Sequence, residues 1–196
     1  MTGYRRIILT GGIGAGKSYV AQRLERRGWK VIEADRIGHR VLQPEGSAFG
    51  AVAERWPSAI DDGTIDRAKL AQIVFADSDQ LAELESITHP AIRVAILQLA
   101  ESNAGDTVVE IPLLRDWFAG WPVVVVMAPP GTRFSRLRDR GMTDDDIAAR
   151  MQNQPSDEQW RAAADYVIVN DGHVSISDQL DGLDQFLDGF SVTGAR

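Results

Sequence analysis

Short β-branched runs alternate with longer stretches of helical periodicity along this chain. The runs are "RRIIL" (Arg5–Leu9), "KVIE" (Lys30–Glu33), "TVVEI" (Thr107–Ile111), "VVVVM" (Val123–Met127) and "YVIV" (Tyr166–Val169). Most are continuously apolar rather than alternating, the pattern of strands buried on both faces of a parallel sheet. Between them, Ser18–Arg27 places Val20, Ala21 and Leu24 on one helical face, and Ala91–Glu101 repeats Ile92, Ala95, Ile96 and Leu99. The alternation predicts βαβ units: an α/β fold with a mostly parallel sheet covered by helices on both sides.

Two stretches depart from that rhythm. Asp35 to Asn103, about 70 residues, is mostly helical in pattern and carries no convincing strand. Its turn signals are "QPEGS" and "DDGT", and it predicts a helical subdomain inserted between two core strands. A second helical cluster runs from Pro130 to Ala164. Thr143 before Asp144-Asp145-Asp146 puts acids at a helix start, and Ser156 with Gln159 has capping-box spacing. The tail "GFSVTGAR" carries no helical or strand signal.

The junction of the first strand and the first helix holds "GGIGAGKS", Gly11 to Ser18, which fits G-x-x-x-x-G-K-[ST] in the strand–loop–helix context that the motif requires. Backbone N–H groups turn inward around phosphate oxygens there, which needs backbone angles and close approach that side chains would obstruct. The following helix adds its positive N-terminal end. Lys17 is placed to reach the β- and γ-phosphates and the Ser18 hydroxyl to hold Mg²⁺. The loop predicts nucleotide phosphate binding.

Phosphate binding alone does not separate kinases from switches. A GTPase needs N-K-x-D, and the only lysines, Lys17, Lys30 and Lys69, do not supply it. Asp35-Arg36-Ile37-Gly38 matches D-x-x-G but follows Lys17 by only 18 residues, too early for a switch loop. A small kinase needs an acid at the acceptor hydroxyl and arginines around the phosphoryl group. Asp35, after the second strand, falls at the ligand-binding carboxyl edge of the sheet, or it caps a helix starting at Arg36. Arg133, Arg136 and Arg140 share one helical face, either a lid over phosphates or a solvated flank. Glu110 ends the third strand, as a magnesium-holding acid or a solvent-facing one. His39, His89 and His173 show no ligand spacing, so no zinc site is expected.

Composition narrows the setting. At 196 residues the chain suits one domain with subdomains, and a formal net charge of −7 argues against a nucleic-acid or anionic-membrane partner. Cysteine is absent, which removes disulfides and thiolate chemistry. The N-terminal apolar stretch Ile7–Leu9 is too short for a secretory core, and the run Val123–Ala128 is too short to cross a bilayer. A cytoplasmic protein, monomeric or a small homo-oligomer, is expected.

Nothing in periodicity names the acceptor, and here a resemblance enters. "LTGGIGAGKS", "VIEAD", "DGTIDRAKLAQIVFAD", "LESITHPAIR", "EIPLL", "RLRDRG" with "DIAARMQNQ", and "ADYVIVNDG" follow one another in order from Ile7 to about Leu187. Together they resemble the dephospho-coenzyme A kinase family. The resemblance implies a P-loop nucleoside-monophosphate-kinase-like three-layer fold. In it, a single domain, 1–196, has a core of about 4–34, 104–129 and 165–190, a helical acceptor-binding subdomain of about 35–103 and a helical lid of about 130–164. It implies transfer from ATP, with Mg²⁺, to the ribose 3′-hydroxyl of dephospho-coenzyme A. Lys17, Asp35 and Arg140 would be catalytic. ATP would meet Gly12, Ile13, Gly14, Ala15, Gly16, Lys17, Ser18, Tyr19, Arg140 and Asn170. The acceptor would meet Asp35, His89, Arg93, Leu114 and Asp116, and Mg²⁺ would meet Ser18 through the nucleotide and Glu110 through water.

Two residues keep local alternatives: His89 before Pro90 also suits a helix cap, and Asn170 before Asp171-Gly172 suits a turn. The segment Pro112-Leu113-Leu114-Arg115-Asp116 departs from the family pattern, with Arg115 at an apolar position and Asp116 in place of Glu. That keeps open a kinase of the same fold with another nucleotide or small hydroxyl acceptor. A nucleotide-binding protein without transfer activity is the rival of a different class, and Lys17, Ser18, Asp35 and Arg140, all intact, argue against it.

Overall fold

The computed structural model describes residues 4–112 and 117–190. Its strands are β1 (Arg6–Thr10), β2 (Lys30–Glu33), β3 (Ile60–Asp61), β4 (Thr64–Ile65), β5 (Thr107–Glu110), β6 (Val123–Met127) and β7 (Tyr166–Val169). Its α-helices are α1 (Lys17–Arg26), α2 (Ala34–Val41), α3 (Phe49–Arg55), α4 (Arg67–Phe75), α5 (Ser78–Glu101), α6 (Pro130–Arg138), α7 (Asp144–Gln152), α8 (Asp157–Ala162) and α9 (Ile176–Gly189). The chain divides into two compact units, Met1–Ile32 with Asn103–Arg196, and Glu33–Ser102.

The first unit is built on a five-stranded sheet of order β2-β5-β1-β6-β7. The pairs β1–β5, β1–β6 and β6–β7 are parallel. The continuous apolar strands are explained by cover on both faces. Ile7, Leu9, Val108, Val124, Val126 and Ile168 meet Val20 and Leu24 of α1 and Leu180 and Leu183 of α9. Val125 and Met127 point the other way, onto Trp160 of α8. Helix α9 carries Leu180, Leu183 and Leu187 at i, i+3 and i+7, with the Ser175 hydroxyl accepting from the Asp178 N–H as its cap. That signal was present in the sequence but weaker than the strand runs. The acids Asp144–Asp146 do start α7, with the Thr143 hydroxyl as its cap, and the capping box expected at Ser156 and Gln159 forms in full.

The second unit has its own core: Val52, Trp56, Ala59, Leu70 and Val74, with Ile65, Leu81 and Leu84 packed against them. It corrects two expectations. A hairpin, β3–β4, stands at "DDGT", pairing Ile60 with Ile65 and Asp61 with Thr64. Asp62 and Gly63, at φ 44° and 72°, form the left-handed turn that such a hairpin needs. Two-residue strands are too short to register as an apolar run. The second correction concerns Pro90, which lies inside the 24-residue α5 rather than before it. An interior proline removes a backbone bond and costs about 3 kcal/mol. The buried row Thr88, Ile92, Ile96 and Ala100 continues through it, so packing holds the helix together.

Candidate nucleotide-binding and phosphoryl-transfer site

Strand β1 delivers the chain to Gly11 at the carboxyl edge of the sheet, and α1 receives it after Gly16. Gly14 and Gly16 adopt φ 76° and 96°, left-handed angles that favour glycine. A Cβ on Gly14 would stand 2.8 Å from the Arg133 carbonyl oxygen, and one on Gly16 would run into the Asn170 amide. The loop is therefore glycine-rich partly because the α6 backbone at Arg133 and the side chains of Arg133 and Asn170 press against it.

Those side chains organise its backbone. The Ile13 carbonyl accepts from Arg133 Nε at 2.8 Å. Arg136 donates to the Gly14 and Ala15 carbonyls at 3.4 and 3.3 Å, and Asn170 Nδ2 donates to Ala15 at 2.9 Å. Three successive carbonyls are thus turned outward onto donors. The N–H groups of Gly14, Gly16 and Ser18 find no acceptor among the described residues. Unpaired donors at the start of a helix form an anion cradle.

Lys17 Nζ lies 3.0 Å from the Gly11 carbonyl and 3.5 Å from that of Gly12, folded over the same loop. Parallel pairing sets Glu110 beside Leu9, and the Ser18 hydroxyl donates to Glu110 Oε1 at 3.1 Å. Residues 92 apart in sequence become one pair of oxygen donors at the rim of the cradle. Among the described residues there is no cluster of three or more His, Cys, Asp or Glu side chains able to hold a metal without help.

Next to the loop opens a cleft of about 530 Å³, lined by Gly16, Tyr19, Arg23, Arg136, Arg140 and Asn170, with Gly172 and Val174–Ser177 beyond them. Arg23 crosses the Tyr19 ring at 5.0 Å and donates to its hydroxyl at 2.6 Å. Asp171, just after β7, accepts the His173 and Val174 N–H groups, which hold its carboxyl below the usual range and shape the cleft wall.

The predicted arginine row does not survive as one face. Helix α6 ends at Arg138, so Arg140 stands beyond it, exposed, while Arg133 is only 5% exposed. Burial pushes the Arg133 guanidinium below its ordinary pKa, with Asp157 opposing. A solvated flank is excluded for Arg133, which braces the loop. Asn170 is likewise buried at 8% exposure and bonded to the loop, which a surface turn residue would not be. Sequence reasoning missed Arg133 and Arg136 as braces and assigned nothing to Gln154, whose Oε1 accepts the Ile13 N–H at 2.7 Å. Gln154 closes the segment "DIAARMQNQ", but nothing in its spacing says what that side chain touches.

Of the residues expected at the acceptor, Asp35, His89 and Arg93 belong to the second unit. Glu33 is the N-cap of α2, and Asp35 lies exposed in its first turn, which rules out the capping alternative. His89 and Arg93 are one turn apart inside α5, so His89 is not a cap either. Its Nε2 lies 4.0 Å from Glu85 Oε1 on the preceding turn. Leu114 and Asp116 lie outside the described residues, as does Arg115.

An amide cradle on the carboxyl edge of a parallel sheet, with a lysine over it and a hydroxyl–carboxylate pair at its rim, defines a P-loop kinase. Comparison with known proteins narrows the class. The family model for dephospho-CoA kinase matches residues 5–175. The dephospho-CoA kinase of Streptomyces avermitilis is 43% identical over 175 residues, 85% of each chain. Among solved structures, a Thermus thermophilus protein superposes with TM-score 0.78 at 30% identity, covering 96% of this chain and 98% of that one. The dephospho-CoA kinase of Campylobacter jejuni gives 0.67 at 26% identity, covering 94% and 98%. This chain belongs to the dephospho-CoA kinase family.

Proposed function

We propose that this chain transfers the γ-phosphoryl group of ATP to the ribose 3′-hydroxyl of dephospho-coenzyme A, the last step of coenzyme A synthesis. The observation that carries the reading is the family match over residues 5–175, which spans both the phosphate cradle and the helices bearing Asp35, His89 and Arg93. The cradle amides and Lys17 hold the β- and γ-phosphates, and Arg140, with Arg136 beside it on the cleft, neutralises charge on the transferring group. Tyr19 and Asn170 line the cleft on the nucleoside side of that cradle. Asp35 orients the acceptor hydroxyl and takes its proton. Arg93 pairs with an acceptor phosphate, and His89 contacts the acceptor one turn away. Leu114 and Asp116 complete the acceptor pocket in this reading.

Mg²⁺ is part of the proposal. Ser18 Oγ and Glu110 Oε1, 3.1 Å apart, are hard oxygens of the kind that suit this ion and its waters. When bound, it supplies charge neutralisation across the β- and γ-phosphates. The Ser18 hydroxyl would meet the ion and Glu110 would hold one of its waters.

The domain layout belongs to the same reading, with Glu33–Ser102 as the acceptor-binding part and α6 to α8 as the lid. So do a cytoplasmic setting, an acidic chain with no nucleic-acid or membrane partner, and a monomer or small homo-oligomer. Net charge of −7 and the lack of cysteine support these, and no described helix is long and apolar enough to cross a membrane.

The test is ADP release from Mg²⁺-ATP with and without dephospho-coenzyme A, run beside Lys17→Ala. ADP formation should depend on the acceptor, and the variant should lose on the order of 10³-fold in turnover. Acceptor-independent ADP release, or transfer only to another nucleotide, would overturn the assignment.

A further inference from the structure

We propose that Gln154, acting with Arg133, is a positioning residue for ATP: it sets where the ring of phosphate-binding amides begins. Both polar atoms of the Ile13 backbone are held by side chains. Its N–H donates to Gln154 Oε1 at 2.7 Å and its carbonyl accepts from Arg133 Nε at 2.8 Å. Arg133 Nη2 also lies 3.4 Å from that same Gln154 oxygen, which closes a three-residue ring around the loop. Fixing one residue at both polar atoms constrains the torsions on either side. The Ile13 N–H is turned onto Gln154 and away from the cradle, and the free amides of Gly14, Gly16 and Ser18 follow it along the loop.

Gln154 can do this because its own position is fixed. It follows Asn153, the C-cap of α7, and stands two residues before Ser156, whose capping box starts α8. Its N–H bonds back to the Met151 carbonyl. Arg133 depends on it in turn. A guanidinium 5% exposed needs acceptors, and among the described residues it has, besides the Ile13 carbonyl, only Gln154 and Asp157, the latter at 3.4 Å. Removing the Gln154 oxygen therefore loosens the Ile13 N–H directly and weakens the hold of Arg133 on the Ile13 carbonyl.

A loop prearranged in this way binds phosphate without paying to order itself first. The effect falls on ATP and leaves the acceptor untouched. This inference rests on the phosphate-binding reading of the loop, and one of its readouts needs no turnover.

The experiment uses the full chain with two substitutions of similar size. Gln154→Met keeps the bulk and removes the acceptor, whereas Gln154→Glu keeps an acceptor oxygen that also pairs with Arg133. In nucleotide-free Gln154→Met, hydrogen exchange at the Ile13 amide should quicken by about 10-fold or more, and KM for ATP should rise about 5- to 20-fold. KM for dephospho-coenzyme A should stay within about twofold. Gln154→Glu should keep Ile13 exchange and KM for ATP within about threefold of the parent protein. Unchanged Ile13 exchange in Gln154→Met would sink the proposal, as would equal rises in both KM values or a Glu variant as impaired as Met. If the parent protein shows no transfer to dephospho-coenzyme A, the functional assignment falls, and exchange with ATP dissociation constants decides the role of Gln154.

Discussion

Every residue from Ile13 to Ala15 has its carbonyl held by a side chain from a distant element, whereas Asp35 and Arg93 stand exposed on α2 and α5. Arg133, Arg136 and Asn170 reach the loop from 120 to 155 residues away. Asp35 and Arg93 take their positions from the helices that carry them. α2 buries Ile37 and Val41, and α5 buries Ile92 and Ile96. In the proposed reaction the difference follows from what each region must do. A phosphate cradle works through backbone amides, which have no rotamers to adjust, so the peptide planes themselves have to be braced. An acid that meets a hydroxyl works through its side chain, and a helix surface places that well enough until the ligand arrives.

If this contrast holds, substitutions in the two regions should separate kinetically. Asp35→Asn should lower kcat by about 10²- to 10⁴-fold while ATP binding changes little, because only proton transfer from the acceptor is lost. Steady-state kinetics with both substrates varied tests this. Near-parental kcat would remove Asp35 from the chemistry and leave the second unit without an acid at the acceptor.

Glu110→Gln should act on the nucleotide side alone. We expect about a 10-fold higher Mg²⁺ requirement at fixed ATP, with KM for the acceptor unchanged, since an amide holds a metal-bound water less well than a carboxylate does. A magnesium titration of turnover is the measurement. An unaltered curve would reduce Glu110 to a structural partner of Ser18.

The smallest effect concerns how the second unit is held. Asp66 caps α4 and Asp77 caps α5, each accepting two backbone N–H groups, and both carboxyls lie below their ordinary value of 3.8. For Asp66 the main cause is the Lys69 N–H and for Asp77 the Asp79 N–H. A depressed carboxylate stabilises the fold above its unfolded pKa, and that stabilisation is lost as pH falls through the folded value. Thermal midpoints should therefore drop below about pH 4, and Asp66→Asn with Asp77→Asn should flatten that acid limb while changing little at pH 7. An equally steep limb in the double variant would place the acid sensitivity elsewhere, for example at Asp171 in the first unit.

How far the sequence could be read differs from element to element for the same reason. β6 spans Val123–Met127 and β7 spans Tyr166–Val169, as the apolar runs predict, and the capping box at Ser156 forms where its spacing places it. These signals are carried by residues within a few positions of one another. Pro90 misleads because a local rule against interior prolines gives way to the buried row of α5 on both sides of it. The two-residue strands of β3 and β4 are too short to leave a pattern, although the Asp62-Gly63 turn between them is visible.

By itself the sequence determined the parallel α/β architecture, the glycine loop between β1 and α1 and the family to which the chain belongs. Each depends on near-neighbour sterics, on the period of the apolar positions or on motifs in a set order. Only the tertiary structure decided that Ser18 meets Glu110, that Arg133 and Gln154 grip Ile13 and that Asn170 holds Ala15. Those pairings depend on strand order and on which helix covers which end of the sheet, and a contact across 92 to 155 residues leaves no periodicity in either partner.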